Sequence, residues 1–358
     1  MADPGTATAY AVSPDSGEHW TAPGAWQVDD GVHRIPLPLP MDGLKAVNVY
    51  VLEGEHGLTL IDGGWAVVEG REALEAGLKR LGAGFTDIRR FLVTHAHRDH
   101  YTLASVLGGE YAAEVSLGIG DKPTLEQVNK DATARGTIRA LREAGADDLA
   151  DKWGAVTPPP RDPTHWRSPD RWIEGDQTIE VAGRRLDAVH TPGHTQGHYV
   201  FADQPASLLF AGDHVLPTIT PSIGFEPAPV VSPLGDFMAS LTKVRGLPDL
   251  RLLPAHGPVA NSSHARVDAL LAHHEERLRQ CLAALVAGRR TALEVAGDLG
   301  WTRHERSLAS LDLFNSALAV LETKAHLELL VARGVATRSA TEAGTVFAPV
   351  PGSGSAGG

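Results

Sequence analysis

The feature that most constrains this chain is the run Thr94-His95-Ala96-His97-Arg98-Asp99-His100, which follows the apolar stretch Phe91-Leu92-Val93 without a spacer. Four metal-ligating side chains leaving what reads as a buried strand demand a fold that brings partners to the same place. In extended backbone His95 and His97 point to one side and can grip one ion together, because side chains alternate with a period of two. Asp99 and His100 fall where the chain turns toward a helix expected to begin near Thr102, so they are directed elsewhere and suit a second ion. Two histidines leave a zinc short of ligands. Further ligands are therefore expected in loops at strand ends along one sheet edge. Three such loops follow: Thr191-Pro-Gly-His194-Thr, Phe210-Ala-Gly-Asp213-His and Pro254-Ala-His256-Gly.

Composition narrows the classes. The single cysteine, Cys281, excludes an intrachain disulfide and a thiolate-rich zinc site. A net charge of -12 repels polyanions at long range and makes nucleic acid an unfavoured partner. No stretch approaches the roughly 20 apolar residues of a membrane span, and Met1 to Trp26 lacks a basic segment leading into an apolar one. A cytoplasmic protein without membrane attachment is expected.

A length of 358 residues suits two domains of about 150 each, or one with an appendage. Residues 1–25 and 351–358, rich in small and polar residues, read as mobile ends. Residues 26–261 alternate strand and helix patterns, beginning with a hairpin of Val47–Leu52 and Leu58–Ile61 and a helix over Ala66–Leu81. Residues 121–165, with two helices and the Pro158-Pro159-Pro160 break, read as an insertion over the core. Residues 262–350 read as a separate, mainly helical domain with one short strand at 344–350. There the pair His273-His274 reads as solvated, and His190, His198 and His214 as packing or supporting neighbours of the ligand loops.

The ordered set Asp62, His95-x-His97-x-Asp99-His100, His194, Asp213, His256 resembles the metallo-β-lactamase superfamily over about residues 31–260, and within it the branch of glyoxalase II, lactonases and the β-lactamase-like-protein-2 hydrolases. The resemblance implies an α/β fold, a four-layer αββα sandwich, followed here by a small winged-helix-like domain. It implies that His95, His97 and His194 hold one metal and Asp99, His100 and His256 a second. Asp213 would bridge them, and Asp62 would orient the ligand loop. The implied cofactor is a pair of divalent ions, zinc first, with iron and manganese open because His/Asp sites accept all three.

The class B1 β-lactamases carry Arg where this chain has His100 and Cys in place of the bridging acid, which disfavours antibiotic resistance. The expected activity is hydrolysis of a small carboxylic ester, thioester or lactone by a hydroxide shared between the metals, with Asp99 moving its proton. Cleavage of single-stranded RNA and iron-dependent sulfur dioxygenation are the alternatives. Residues 262–340 hold 10 Lys and Arg against 9 Asp and Glu. That balance favours packing or a homodimer interface over a nucleic-acid face.

Overall fold

A computed structural model of the chain describes residues 12–351, apart from 41, 131–132, 157–161, 227, 303–304 and 343. The expected tail beyond 351 and the triple-proline break lie outside the described residues. The chain divides into two compact units, one of Met1–Leu125, Arg161–Pro221 and Ser240–Asp268, the other of Glu126–Pro160, Ser222–Ala239 and Ala269–Gly358.

The first unit is built on two sheets. Seven strands, β1 (Trp26–Asp29), β2 (Val32–Pro38), β3 (Ala46–Gly54), β4 (Gly57–Ile61), β5 (Ile88–Leu92), β6 (Glu114–Gly118) and β7 (Arg171–Ile173), pair in sequence order. Five more, β8 (Gln177–Val181), β9 (Arg184–His190), β10 (Tyr199–Asp203), β11 (Leu208–Gly212) and β12 (Arg251–Pro254), form the second sheet in the order β12-β11-β10-β9-β8. Val32, Tyr50, Leu52, Ile61 and Leu92 of the first sheet form one buried cluster with Leu186, Phe201, Phe210 and Leu253 of the second. The opposite face of the first sheet packs Val49, Leu60 and Phe91 against Leu74 and Leu78 of helix α1 (Val68–Arg80) and Leu103 and Leu107 of α2 (Arg98–Tyr111). Strand β3 is buried at seven consecutive positions because both of its faces are covered. This is the expected α/β sandwich with helices outside the sheets.

Strand direction positions the site. β4, β5 and β6 run parallel, and β9 and β11, both antiparallel to β10, run with β12. In the first sheet the loops after β4 and β5, and in the second those after β9, β11 and β12, therefore leave the carboxyl ends of strands that run the same way within their sheet. Tyr199 donates its N–H to the Thr94 carbonyl at 2.9 Å, and Asn48 donates from Nδ2 to the carbonyls of Pro254 and Gly257 at 3.0 and 2.9 Å, tying the two sets of loops together.

Two expectations need correction. Residues 12–25 are not loose: Asp15 forms a fully buried ion pair with Arg34 of β2 at 2.9 Å, and the buried Ser13 accepts the Val259 N–H at 3.0 Å. The anchor is polar, so a search for apolar periodicity misses it. Nor does one cut near 261 separate the units. Residues 126–160 fall in one compact unit with the C-terminal helices.

In that second unit, helices α4 (Thr133–Glu143) and α5 (Asp147–Ala155) pack on each other, and Leu293 donates its N–H to the Ala144 carbonyl at 3.1 Å. The helices of the C-terminal region are α7 (Ser263–Val286, of which 269–286 lie in this unit), α8 (Ala292–Asp298) and α9 (Leu313–Ala332). The remaining helices of the chain are α3 (Lys122–Asn129) and α6 (Pro233–Arg245). α9 buries residues on every side, from Ala317 and Val320 to His326 and Leu330, which is the pattern of a central helix. The single strand expected at 344–350 is half of a hairpin, β13 (Ala336–Thr341) with β14 (Gly344–Pro349). Among the described residues no helix is long and apolar enough to cross a membrane.

Candidate metal centre

All seven ligand candidates come together in the first unit. Ligand atoms of His95, His97, His194 and Asp213 lie within 4.8 Å of one another, and so do those of Asp99, His100 and His256. Asp213 stands between the groups, with Oδ2 3.5 Å from His194 Nε2 and Oδ1 3.6 and 3.4 Å from Nε2 of His100 and His256. Asp99 sits 3.3 Å from His256 Nε2. Asp99 and His100 lie in the first turn of α2, which starts at Arg98, earlier than the expected Thr102. The helical turn is what rotates them away from His95 and His97.

The supporting bonds fix which ring nitrogen faces inward. The Ala46 carbonyl can only accept, so His256 donates from Nδ1 at 2.7 Å and presents Nε2 to the carboxylates. Asp62 does not touch the ligand groups' shared space. Its Oδ2 accepts from His100 Nδ1 at 2.9 Å, and its Oδ1 accepts the Thr94 N–H at 2.7 Å. Thr94 Oγ1 also donates to Asp62, which leaves it to accept from His95 Nδ1 at 3.0 Å and turns His95 Nε2 inward. His97 Nδ1 is 2.9 Å from His95 Nε2 and 3.0 Å from His194 Nε2. One nitrogen carries at most one proton and cannot satisfy both neighbours, whereas a cation can accept all three lone pairs.

Electrostatics separates the groups. Burial holds His95 well below the usual imidazole range and takes His97 down to about 3, and the facing rings add repulsion. Burial acts the same way on His100 and His256 but is outweighed by carboxylates: Asp62, Asp213 and Asp99 lift His100 to about 10, and Asp213 and Asp99 raise His256. Burial would raise Asp99, yet His100 and His256 hold it well below the carboxylate range. His100 Nε2, His256 Nε2 and Asp213 Oδ1 are buried and find no hydrogen-bond partner among the described residues. Orphaned polar atoms are costly singly. Three aimed at one another fit divalent cations.

Two supporting residues, Asp121 and Asn48, carry no sequence signal, and a third, His198, is one of the histidines expected beside the ligand loops. Asp121 accepts the N–H of Ala96 at 2.7 Å and of Gly197 at 2.8 Å, bracing the His95–His97 loop and the His194 loop at once. A Cβ at Gly197 would fall 2.5 Å from its carboxyl carbon, so only glycine lets this loop approach. Asn48 holds the His256 turn. His198, buried, accepts the Asp213 N–H at Nε2, 3.2 Å, and so supports the bridging carboxylate. His190 donates from Nε2 to the Gln196 carbonyl at 2.8 Å within the His194 loop. Gly212, at φ +50°, leaves no room for a side chain between His198 and Thr94.

Two sheets sharing a buried core, with histidines and aspartates converging at their strand ends, form an α/β sandwich that carries a candidate metal centre. The family model of the metallo-β-lactamase superfamily matches residues 42–256, more than half of the chain, which belongs to that superfamily and is one of its metal-dependent hydrolases. The chain is 28% identical over 273 residues to the lactamase-like protein adaB of Aspergillus niger, spanning 76% of this chain and 68% of that one. It is 30% identical over 186 residues to the atrochrysone carboxyl ACP thioesterase AgnL7 of Paecilomyces divaricatus, spanning 49% of this chain and 56% of that one. A solved metallo-β-lactamase family protein from Thermus thermophilus matches with a TM-score of 0.74 at 29% identity, over 90% of this chain and all of that one.

Proposed function

We propose that the chain hydrolyses a small carboxylic thioester, ester or lactone at a pair of divalent cations, zinc first. His95, His97 and His194 would hold one cation, Asp99, His100 and His256 the other, and Asp213 both. The observation that carries the reading is Asp213, whose two carboxylate oxygens face different ligand groups. When bound, the cations supply Lewis acidity and make a water acidic enough to act near neutral pH. Asp99, kept ionised by His100 and His256, accepts the proton of the attacking water, and its side chain retains 13% exposure toward solvent. Asp62, Asp121 and His198 keep the ligand loops in register, so that little reorganisation accompanies the reaction.

Within this class the thioester is favoured by the thioesterase relative. Nothing in the site requires a serine or cysteine nucleophile: Cys281 is buried in the second unit, where burial pushes its thiol up to about 12. The purified protein, supplied with zinc, is assayed against an acyl thioester, a lactone and single-stranded RNA. Thioester or lactone turnover, falling at least a hundredfold in His97→Ala while the fold is kept, supports the reading. Cleavage of RNA alone, or turnover undiminished in His97→Ala, contradicts it.

A further inference from the structure

A second cluster of metal-ligating side chains lies wholly in the second unit, on helices α7 and α9. His273 and His274 are consecutive on α7, and Glu322 stands on α9. The ligand atoms of the three lie within 4.8 Å of one another. His274 is fully buried, whereas His273 and Glu322 are half-buried. The expectation of a solvated pair fails because the neighbouring Glu275, Glu276 and Arg277 make the segment look like an exposed face. The burial comes from α9, 40 or more residues further along the chain.

The surroundings orient His274 as a ligand. His326, one turn beyond Glu322, contacts the Glu322 carbonyl through Nδ1 at 2.8 Å. A carbonyl only accepts, so this nitrogen carries the proton and Nε2 is the accepting side of the neutral ring. His326 Nε2 then accepts from His274 Nδ1 at 3.2 Å, which leaves the lone pair of His274 on Nε2. A histidine whose second nitrogen donates to a buried partner is the usual arrangement of a metal-ligating imidazole. The Phe237 ring meets His274 edge-on at 5.5 Å and supplies an apolar wall.

We infer that His273, His274 and Glu322 form a third cation site, distinct from the metal centre of the first unit, which takes a divalent transition metal of the zinc class and braces α7 against α9. Two imidazoles and a carboxylate are a borderline donor set that prefers zinc, cobalt or nickel over magnesium or calcium. With ligand distances of about 2.1 Å, tetrahedral donors around zinc stand ~3.4 Å apart, so ligand atoms now within 4.8 Å of one another close by up to ~1.4 Å on binding. Binding a cation requires the Glu322 carboxyl in its ionised form. The neighbouring Arg277 charge is drawn off, donating to the Gly300 carbonyl at 2.8 Å and stacking over Trp301. Three protein ligands leave a fourth position for water.

The test counts zinc per chain by mass spectrometry in the full-length protein after gel filtration, for wild type, Glu322→Gln and His273→Gln. Each variant is expected to hold one zinc equivalent fewer than wild type, to lose the part of the zinc-induced rise in melting temperature that wild type shows, and to keep its hydrolytic rate. His273→Gln, at a half-exposed position, serves if Glu322→Gln disturbs the helix pair. Equal zinc content in wild type and the folded variant overturns the inference. Because the readout is a difference, it is independent of how many ions the other centre holds and of what that centre hydrolyses.

Discussion

Asp121 shows how much of the centre rests on one residue outside the ligand set. Its two oxygens accept backbone N–H groups from Ala96, 25 positions away, and Gly197, 76 positions away. Burial raises its carboxyl to about 6 against those hydrogen bonds, so the group is ionised and accepting at neutral pH. Asp121→Ala leaves two buried donors without their acceptor, at about 1–3 kcal/mol each. It is expected to lower metal affinity 10- to 100-fold, read by competition with a chromogenic chelator, and to lower turnover at limiting zinc more than at saturating zinc. Unchanged affinity would remove the bracing role. The ligands themselves are legible in the sequence because they crowd into His95–His100 or follow a strand end beside a glycine. Asp121 is not: a lone aspartate after β6 has no local signature, and it falls at the start of the expected insertion. His274 escapes for the same reason in reverse, its polar neighbours in sequence concealing a buried position.

Elements with strong local pattern are readable, and those set by partners are not. The hairpin of β3 and β4 and the helix α1 follow from apolar alternation or helical spacing, and their bounds fall within a few residues of expectation. β6 and β7, short and lying at one edge of their sheet, escape a reading of local pattern, as do β13 and the helix α5. The segment from Val12 to Ala25 is the instructive failure, since its hold is the Asp15–Arg34 pair, with Arg34 also donating to Asn48 Oδ1 at 3.0 Å. Asn48 in turn anchors the His256 turn, so the segment's polar chain ends at the centre. Removing one partner of a buried pair strands the other charge, at about 3–5 kcal/mol. Asp15→Ala is expected to lower the free energy of chemical unfolding by that amount, and an unchanged unfolding midpoint would show that the pair contributes no net stability.

At the scale of the whole molecule, the direction of the strands does the assembling. Within each sheet the ligand loops leave strands that run the same way, and hydrogen bonds such as Tyr199 N–H to the Thr94 carbonyl tie the two sets of loops into a single centre. The sequence order of the ligands anticipates that convergence. It does not anticipate the division of the chain, in which residues 126–160 fall in one compact unit with residues 222–239 and 269–358. The central claim is that hydrolysis depends on cations held at His95, His97, His194, Asp99, His100, Asp213 and His256. The direct measurement is thioester hydrolysis before and after exhaustive chelation, with metal content verified, followed by stepwise return of zinc. The account predicts loss of activity to background and recovery in step with the added ion. Full-rate hydrolysis by protein shown to carry no metal would contradict it.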